Sequence, residues 1–204
     1  MSARLGILLS GRGSNFLAIH QAIEEGRLSA RIALVVSNRP QAAGLAKARE
    51  LGLATAAIPQ APDGDRADQE ERVVAALRQA GVDWVCLAGY MRLLSPAFVR
   101  SFSRRIVNIH PSLLPSFPGL DAHGQALRHG VRVSGCTVHL VDEGMDTGPI
   151  VVQRAVTIED GDDEASLAAR ILEQEHRAYP EALSRLLAGR WKIEGRRFSM
   201  LPEA

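Results

Sequence analysis

The sequence predicts an α/β fold: an open, mostly parallel, doubly wound sheet with helices on both faces and a late antiparallel edge. Three observations carry that prediction. In the first half, short apolar runs alternate with segments of helical periodicity. Those runs show no polar alternation, which marks strands covered on both faces. In the second half, two longer strand-like runs follow one another across a turn-rich loop, the pattern of an added antiparallel edge.

The elements follow in order. "LGILL" (Leu5 to Leu9) is the first strand, and "NFLAIHQAIEEG" a helix stopped at Gly26. "RIALVVS" (Arg31 to Ser37) is the second strand, followed by the helix "AGLAKARELG", which Gly52 ends. "ATAAI" is a weak strand. "PQAPDGDRAD" (Pro59 to Asp68) has the Pro, Gly and Asp content of a mobile loop. "RADQEERVVAALRQAG" is a helix with Val73, Val74 and Leu77 on one face, and "WVCLAG" (Trp84 to Gly89) the fourth strand. "RIVNIH" is a strand, "GQALRHG" a short helix, and "RVSGCTVHLV" and "PIVVQRAVTI" the late pair. A long helix, "EASLAARILEQEHRAYPEALSRLLAG", is expected to bend or break at Pro180. "RWKIEGRRFSM" reads as a terminal hairpin turning at Glu194-Gly195.

Composition narrows the function classes. The 204 residues carry 24 basic and 23 acidic side chains, a net charge of +1, and no basic block of the kind that binds nucleic acid. The early apolar run is too short for a signal-peptide core, and no apolar stretch is long enough to span a membrane. A cytoplasmic protein is expected, with no nucleic acid and no membrane partner. Cys86 and Cys136 lie in apolar surroundings, outside any C-x-x-C spacing, as reduced core thiols would.

Two segments carry chemistry. "LLSGRGSNF" joins a strand to a helix, where glycines let backbone N–H groups approach an anion and the helix adds its positive end. No Lys follows, so it is not a nucleotide-triphosphate loop. Phe16 occupies the third glycine position of a dinucleotide loop, and Asn38 stands where that fold places a ribose-binding acid. A single phosphate on Gly13, Ser14 and Asn15 remains, beside the plainer reading of a turn with Ser14 or Asn15 as N-cap.

The second segment is "IVNIHPSLLP". Residues two apart on a strand share a face, about 6.5–7 Å apart. Asn108 and His110 would thus project together at a strand's C-terminal end, where open α/β sheets bind ligands. Pro111 turns the chain away. Asp146, in "DEGMDTGPI", supplies a carboxylate expected to raise the imidazole pKa. An amide donor, an imidazole and a carboxylate suit a developing oxyanion and an amine that must lose protons. A lone core histidine is the plain alternative. Asp146-Thr147-Gly148 matches an aspartic-protease tripeptide, but that enzyme needs two such loops in an all-β fold. A metal held by His110, His139 and an Asp lacks paired-histidine spacing, so no metal is expected.

Taken in order, "SGRGSN", "LAGYMRLLSPAF", "NIHPSLLPSFPG", "DEGMDTGPI" and "EQEHRAYP" resemble the phosphoribosylglycinamide formyltransferase family, over nearly the whole chain. The resemblance implies one formyltransferase domain over 1–204, with a phosphate-binding α/β half at 1–100 and a catalytic and folate half at 101–204. It implies formyl transfer from 10-formyltetrahydrofolate, as co-substrate, to glycinamide ribonucleotide, by a monomer or weak homodimer. Asn108, His110 and Asp146 match the family's catalytic positions, and Gly13, Ser14 and Asn15 its phosphate loop. Leu172, Glu173, Gln174 and Glu175 match a helix segment on the ribonucleotide, with Glu175 the ribose partner. Met91, Arg92, Leu93 and Leu94 match the folate segment, joined by Asn108, Val141, Asp142, Glu143, Gly144, Met145 and Asp146. Arg66 matches a basic residue near the folate's glutamate tail. The chain departs from the pattern at Asp121, where many relatives carry His or Lys, and at Gly124, where a larger side chain is common. Neighbouring activities are formyltetrahydrofolate hydrolysis, usually with a further N-terminal domain, formylation of methionyl-tRNA, with a further C-terminal one, and folate or ribonucleotide binding without turnover.

Overall fold

A computed structural model describes residues 2–61 and 65–202. The chain forms two compact units, Met1–Val107 and Asn108–Ala204.

The first unit runs β1 (Ala3–Leu9), α1 (Ser14–Glu24), β2 (Ala30–Ser37), α2 (Ala43–Glu50), β3 (Thr55–Ala57), α3 (Arg66–Gln79), β4 (Trp84–Leu87) and α4 (Pro96–Ser101). Its strand order is β3-β2-β1-β4, and each of these pairings is parallel. Leu5, Ile7, Leu8 and Leu9 are all fully buried, as are Val35, Val36, Val85 and Cys86. Burial of successive residues on β1 is what its unbroken apolar run requires. Gly6 interrupts that run for a steric reason. A Cβ there would lie 2.6 Å from Leu77 of α3, so glycine lets the helix close onto the strand. Arg4 grips Asp83 through Nε, Nη2 and its backbone N–H, which fixes β1 beside β4.

α4 was not among the expected elements; it is a short helix that Ser95 caps by accepting the Phe98 N–H, with Pro96 in its first turn. Part of the expected loop Pro59–Asp68, residues 62–64, lies outside the described residues. Its end is not loop at all: Asp65 caps α3 and Arg66 is its first residue.

The boundary between units falls inside β5 (Ile106–His110). The second unit continues with α5 (Ala122–Arg128), β6 (Val133–Leu140), β7 (Ile150–Thr157), α6 (Glu164–Leu187), β8 (Trp191–Glu194) and β9 (Arg197–Met200). Its strand order is β5-β6-β7-β9-β8. β6 and β7 pair antiparallel, as do β8 and β9, while β9 meets β7 parallel at Ile150 and Arg197. The late antiparallel edge is therefore present. α6 packs on β6 and β7 through a stripe that includes Leu167, Ile171, Ala178, Ala182 and Leu186. A reciprocal cap between Asp163 and Ser166 starts it. Pro180 does not interrupt α6, which runs on for another two turns with Pro180 buried. The final turn is Gly195-Arg196, with Gly195 left-handed, one residue later than expected.

Both cysteines are free and buried. Burial pushes both thiols up, Cys136 to about 12, which keeps them protonated and unreactive. Among the described residues, no helix is long and apolar enough to cross a membrane.

Candidate active site

The polar end of β5 is the core of the second unit's site. His110 is only 4% exposed. Its Nε2 lies 2.7 Å from the Phe117 carbonyl oxygen. A carbonyl only accepts, so Nε2 carries the proton and Nδ1 is the nitrogen left for chemistry. That Nδ1 is 3.5 Å from Oδ2 of Asp146.

Asp146 follows β6 in a tight loop and takes a left-handed φ of 55°. Its Oδ2 also accepts the Gly119 N–H at 2.8 Å, and its Oδ1 is 3.6 Å from Nε2 of His139. His139 is buried on β6. Its Nδ1 donates to the Leu140 carbonyl at 2.9 Å, which leaves Nε2 to accept from the Asn108 amide at 3.2 Å. The three expected residues therefore gather around a fourth: Asn108 donates to His139 Nε2, and Asp146 lies 3.6 Å from that nitrogen and 3.5 Å from His110. No hydrogen bond joins Asn108 directly to His110 among the described residues. His139 had been weighed only as a metal ligand. Its signal was there to find, as the one imidazole inside an apolar strand that leads straight into the Asp146 loop. Among the described residues, no group of His, Cys, Asp and Glu has the arrangement to hold a metal ion.

Two loops hold these atoms. From β5 the chain passes through Ser112, whose hydroxyl donates to the Ser116 carbonyl, and Leu114, whose N–H is taken by Thr137 Oγ1. Thr137 in turn donates to the Ser112 carbonyl, and the Gln153 amide donates to Leu114 O and Thr137 Oγ1. Phe117, Gly119 and Asp121 all have positive φ, so the backbone there turns sharply enough to present one carbonyl to His110 and one N–H to Asp146. In the second loop, Asp142 Oδ1 accepts from Gly144 N–H and from Thr147 Oγ1. A Cβ on Gly144 would sit 2.1 Å from Thr147 Oγ1, so a side chain there would displace that hydroxyl from Asp142.

The electrostatics correct one expectation. Burial holds His110 below its ordinary range, and His139 adds to that. The Phe117 carbonyl and Asp146 oppose the shift without reversing it. The carboxylate therefore does not offset the burial that holds the ring's pKa down. For Asp146 burial acts upward, but the neighbouring His139, the Gly119 N–H and His110 together hold it below the usual carboxylate range. The pair is a neutral imidazole beside an ionised acid, with a vacant Nδ1 between them.

The other expected residues occupy definite places within their own units. In the first, Gly13 precedes α1 with φ 74°, and a Cβ there would meet the Gly44 Cα at 3.0 Å. Ser14 and Asn15 open α1, and Asn15 is buried. Ser10 ties three strand ends together: its hydroxyl donates to Asn38 Oδ1 and accepts the Met91 N–H, and its own N–H donates to Gly89. Met91 and Leu93 are 64% and 59% exposed, an unusual presentation of large apolar side chains. Arg92 donates to Gln60 Oε1, and Leu94 is half-buried. Arg66 pairs with Glu70 and donates to the Leu93 carbonyl, while Glu70 accepts the Ser95 N–H. It is tied to the 91–94 segment, not free on a loop. In the second unit, Asp142, Glu143, Gly144 and Met145 are exposed and Val141 half-buried. On α6, Glu173 faces solvent, Leu172 and Gln174 are half-buried, and Glu175 is a buried carboxylate within the apolar stripe.

The chain as a whole is similar to known proteins of one family. Residues 3–183 match the formyl transferase family. The chain is 42% identical over 184 residues to phosphoribosylglycinamide formyltransferase of Bacillus subtilis, covering 90% of this chain and 94% of that protein. It is 46% identical over 188 residues to the trifunctional purine biosynthetic protein adenosine-3 of Drosophila melanogaster, covering 91% of this chain but spanning only 14% of that protein's length. The crystal structure of glycinamide ribonucleotide transformylase 1 from Symbiobacterium toebii matches with a TM-score of 0.96 at 48% identity, over 98% of this chain and 95% of that one.

Proposed function

This chain belongs to the formyl transferase family, and from that membership we propose that it transfers the formyl group of 10-formyltetrahydrofolate to the amine of N1-(5-phosphoribosyl)glycinamide. The products are the formylglycinamide ribonucleotide and tetrahydrofolate, in purine synthesis. The observation that carries the mechanism is the His110–Asp146 pair, in which one imidazole nitrogen is committed to a backbone carbonyl and the other faces an ionised acid.

Asn108, His110 and Asp146 are the catalytic residues. The amine attacks the formyl carbon, and the carbonyl electrons move to the formyl oxygen. Asn108 Nδ2 has two N–H groups, and the bond to His139 uses one; the second donates to the growing alkoxide. The attacking nitrogen loses one proton, and N10 of the folate gains one as the C–N10 bond breaks, so none is consumed overall. Nδ1 of His110 carries that proton. The ring is neutral before reaction because it is buried, and the developing alkoxide together with Asp146 favours its charged form as the intermediate builds. His139 and the backbone groups of Phe117 and Gly119 preorganise the donors, so little reorganisation is left for the reaction itself.

Gly13, Ser14 and Asn15 bind the ribonucleotide phosphate through backbone N–H groups at the start of α1. Leu172, Glu173, Gln174 and Glu175 contact the ribonucleotide, Glu175 accepting from its ribose. Met91, Arg92, Leu93, Leu94 and residues 141–146 take the folate, and Arg66 its glutamate tail. The chain works in the cytoplasm as a monomer or weak homodimer.

One assay tests the reading: folate absorbance followed with and without glycinamide ribonucleotide. Turnover that requires the ribonucleotide is expected. Turnover with water alone would make the chain a hydrolase, and binding without turnover would remove it from catalysis.

A further inference from the structure

We infer that Gln125 of α5 is a positioning residue for the His110–Asp146 pair, acting through the backbone of residues 117–120; the inference rests on the function proposed above. The segment has one task for each catalytic side chain. The Phe117 carbonyl accepts from His110 Nε2, and the Gly119 N–H donates to Asp146 Oδ2. Two backbone groups in three residues therefore set both the tautomer of the imidazole and the placement of the carboxylate. The same three residues carry two positive φ angles, at Phe117 and Gly119, with Asp121 adding a third shortly after. For Phe117 and Asp121 this conformation is disfavoured and persists only where neighbours enforce it.

Gln125 is the group that enforces it from the helix side. Its Nε2 donates to the Leu120 carbonyl at 2.8 Å and to the Pro118 carbonyl at 3.3 Å. Those carbonyls flank Gly119, whose N–H holds Asp146. The Gln125 N–H is at the same time donated to the Asp121 carbonyl, so backbone and side chain of one residue hold the carbonyls of Pro118, Leu120 and Asp121. The backbone carbonyl of Gln125 receives His129 Nδ1, and the His129 ring lies 5.2 Å from that of Phe117. Asp121 closes the segment with an ion pair to Arg128, laid over Gly124: a Cβ on Gly124 would be 2.5 Å from the Asp121 carboxylate and 2.7 Å from the guanidinium. The two departures from the family pattern, Asp121 and Gly124, thus form one device at the end of this strap.

Gln125 is half-buried at the surface of a short helix, so its replacement leaves the core untouched. Gln125→Met keeps the length and removes the donor; Gln125→Lys keeps donors at similar reach. At a pH where His110 is neutral, ring-nitrogen NMR shifts of wild type should show His110 with Nε2 protonated and Nδ1 bare. In Gln125→Met the two tautomers should mix, and kcat should fall about 10- to 100-fold with both KM values within about twofold, the size expected when a reacting group shifts by a fraction of an ångström to 1 Å. Gln125→Lys should stay within about threefold of wild type in kcat, since it can still supply the two carbonyls. Wild-type ring shifts and kcat in Gln125→Met would overturn the inference, as would a loss appearing only in Tm or KM, or an equal kcat loss in both variants. If wild type shows no ribonucleotide-dependent turnover, the proposed function falls, and the ring-nitrogen shifts alone then decide the role of Gln125.

Discussion

His110 and Phe117 are joined by a 2.7 Å bond from an imidazole nitrogen to a backbone carbonyl, and this bond decides which nitrogen does chemistry. A carbonyl partner cannot give a proton back. The exchangeable site is therefore Nδ1, on the side of Asp146. The expectations below follow from that arrangement.

Asp146→Asn keeps the volume and the Gly119 bond but removes the charge beside Nδ1. Turnover should fall by two or more orders of magnitude, in line with the roughly 3–4 kcal/mol typical of losing one such group. Circular dichroism should show the fold intact. A folded Asp146→Asn variant with normal kcat would remove the acid from the mechanism.

His139→Phe tests the group that holds Asn108 beside Asp146. The ring volume is kept, so the buried site on β6 stays filled, but the acceptor for the Asn108 amide is gone. Losing one hydrogen bond of about 1–1.5 kcal/mol from a group that orients a donor predicts a kcat about tenfold lower. KM should change little. Unchanged kcat would mean that Asn108 is held by other contacts.

The pH dependence of stability has a definite sign. His110, His123 and His176 are each held below the ordinary histidine value, burial being the largest cause in each. Their unfolded forms take up protons near pH 6.5, before the folded forms do, so the unfolded state binds more protons in that window. Stability is fully present above the unfolded pKa and is lost as pH falls through the folded values. Asp146, also depressed, adds a further loss of the same sign in the carboxylate range. Urea midpoints should fall from pH 8 to pH 5, and His176→Gln should flatten that slope. A midpoint that rises on acidification would contradict the burial of these rings.

Arg66→Ala should act on the folate in two ways. It removes a cation assigned to the glutamate tail, and it frees the Leu93 carbonyl and Glu70 that hold the 91–94 segment. KM should rise several-fold for the monoglutamate and further for polyglutamylated folate. An equal rise for both would assign Arg66 to shaping the segment alone.

Much of this was legible in the sequence because the signals are local. Alternating runs, glycine stops and the N-I-H-P spacing each depend on neighbours within a few residues. They named β1 to β4, the late pair, the terminal hairpin and two of the polar residues at the end of β5. α4 was missed because six residues carry too little periodicity to register. Arg66 fell both in the expected loop Pro59–Asp68 and at the start of the expected helix, and the Asp65 cap that starts α3 settles it as helical.

By itself, then, the sequence determined the fold class and the family, and it pointed to Asn108, His110 and Asp146 as the side chains proposed to react, since residue type and short-range order encode such patterns. Only the tertiary structure decided that His139 holds Asn108 beside Asp146, that Phe117 and Gly119 lend backbone groups to the site, and that burial holds His110 below its ordinary range. The first two are contacts across 7 to 31 residues, with no periodic trace. The third is a balance between burial and charge, and burial is a sum over every atom that surrounds the ring.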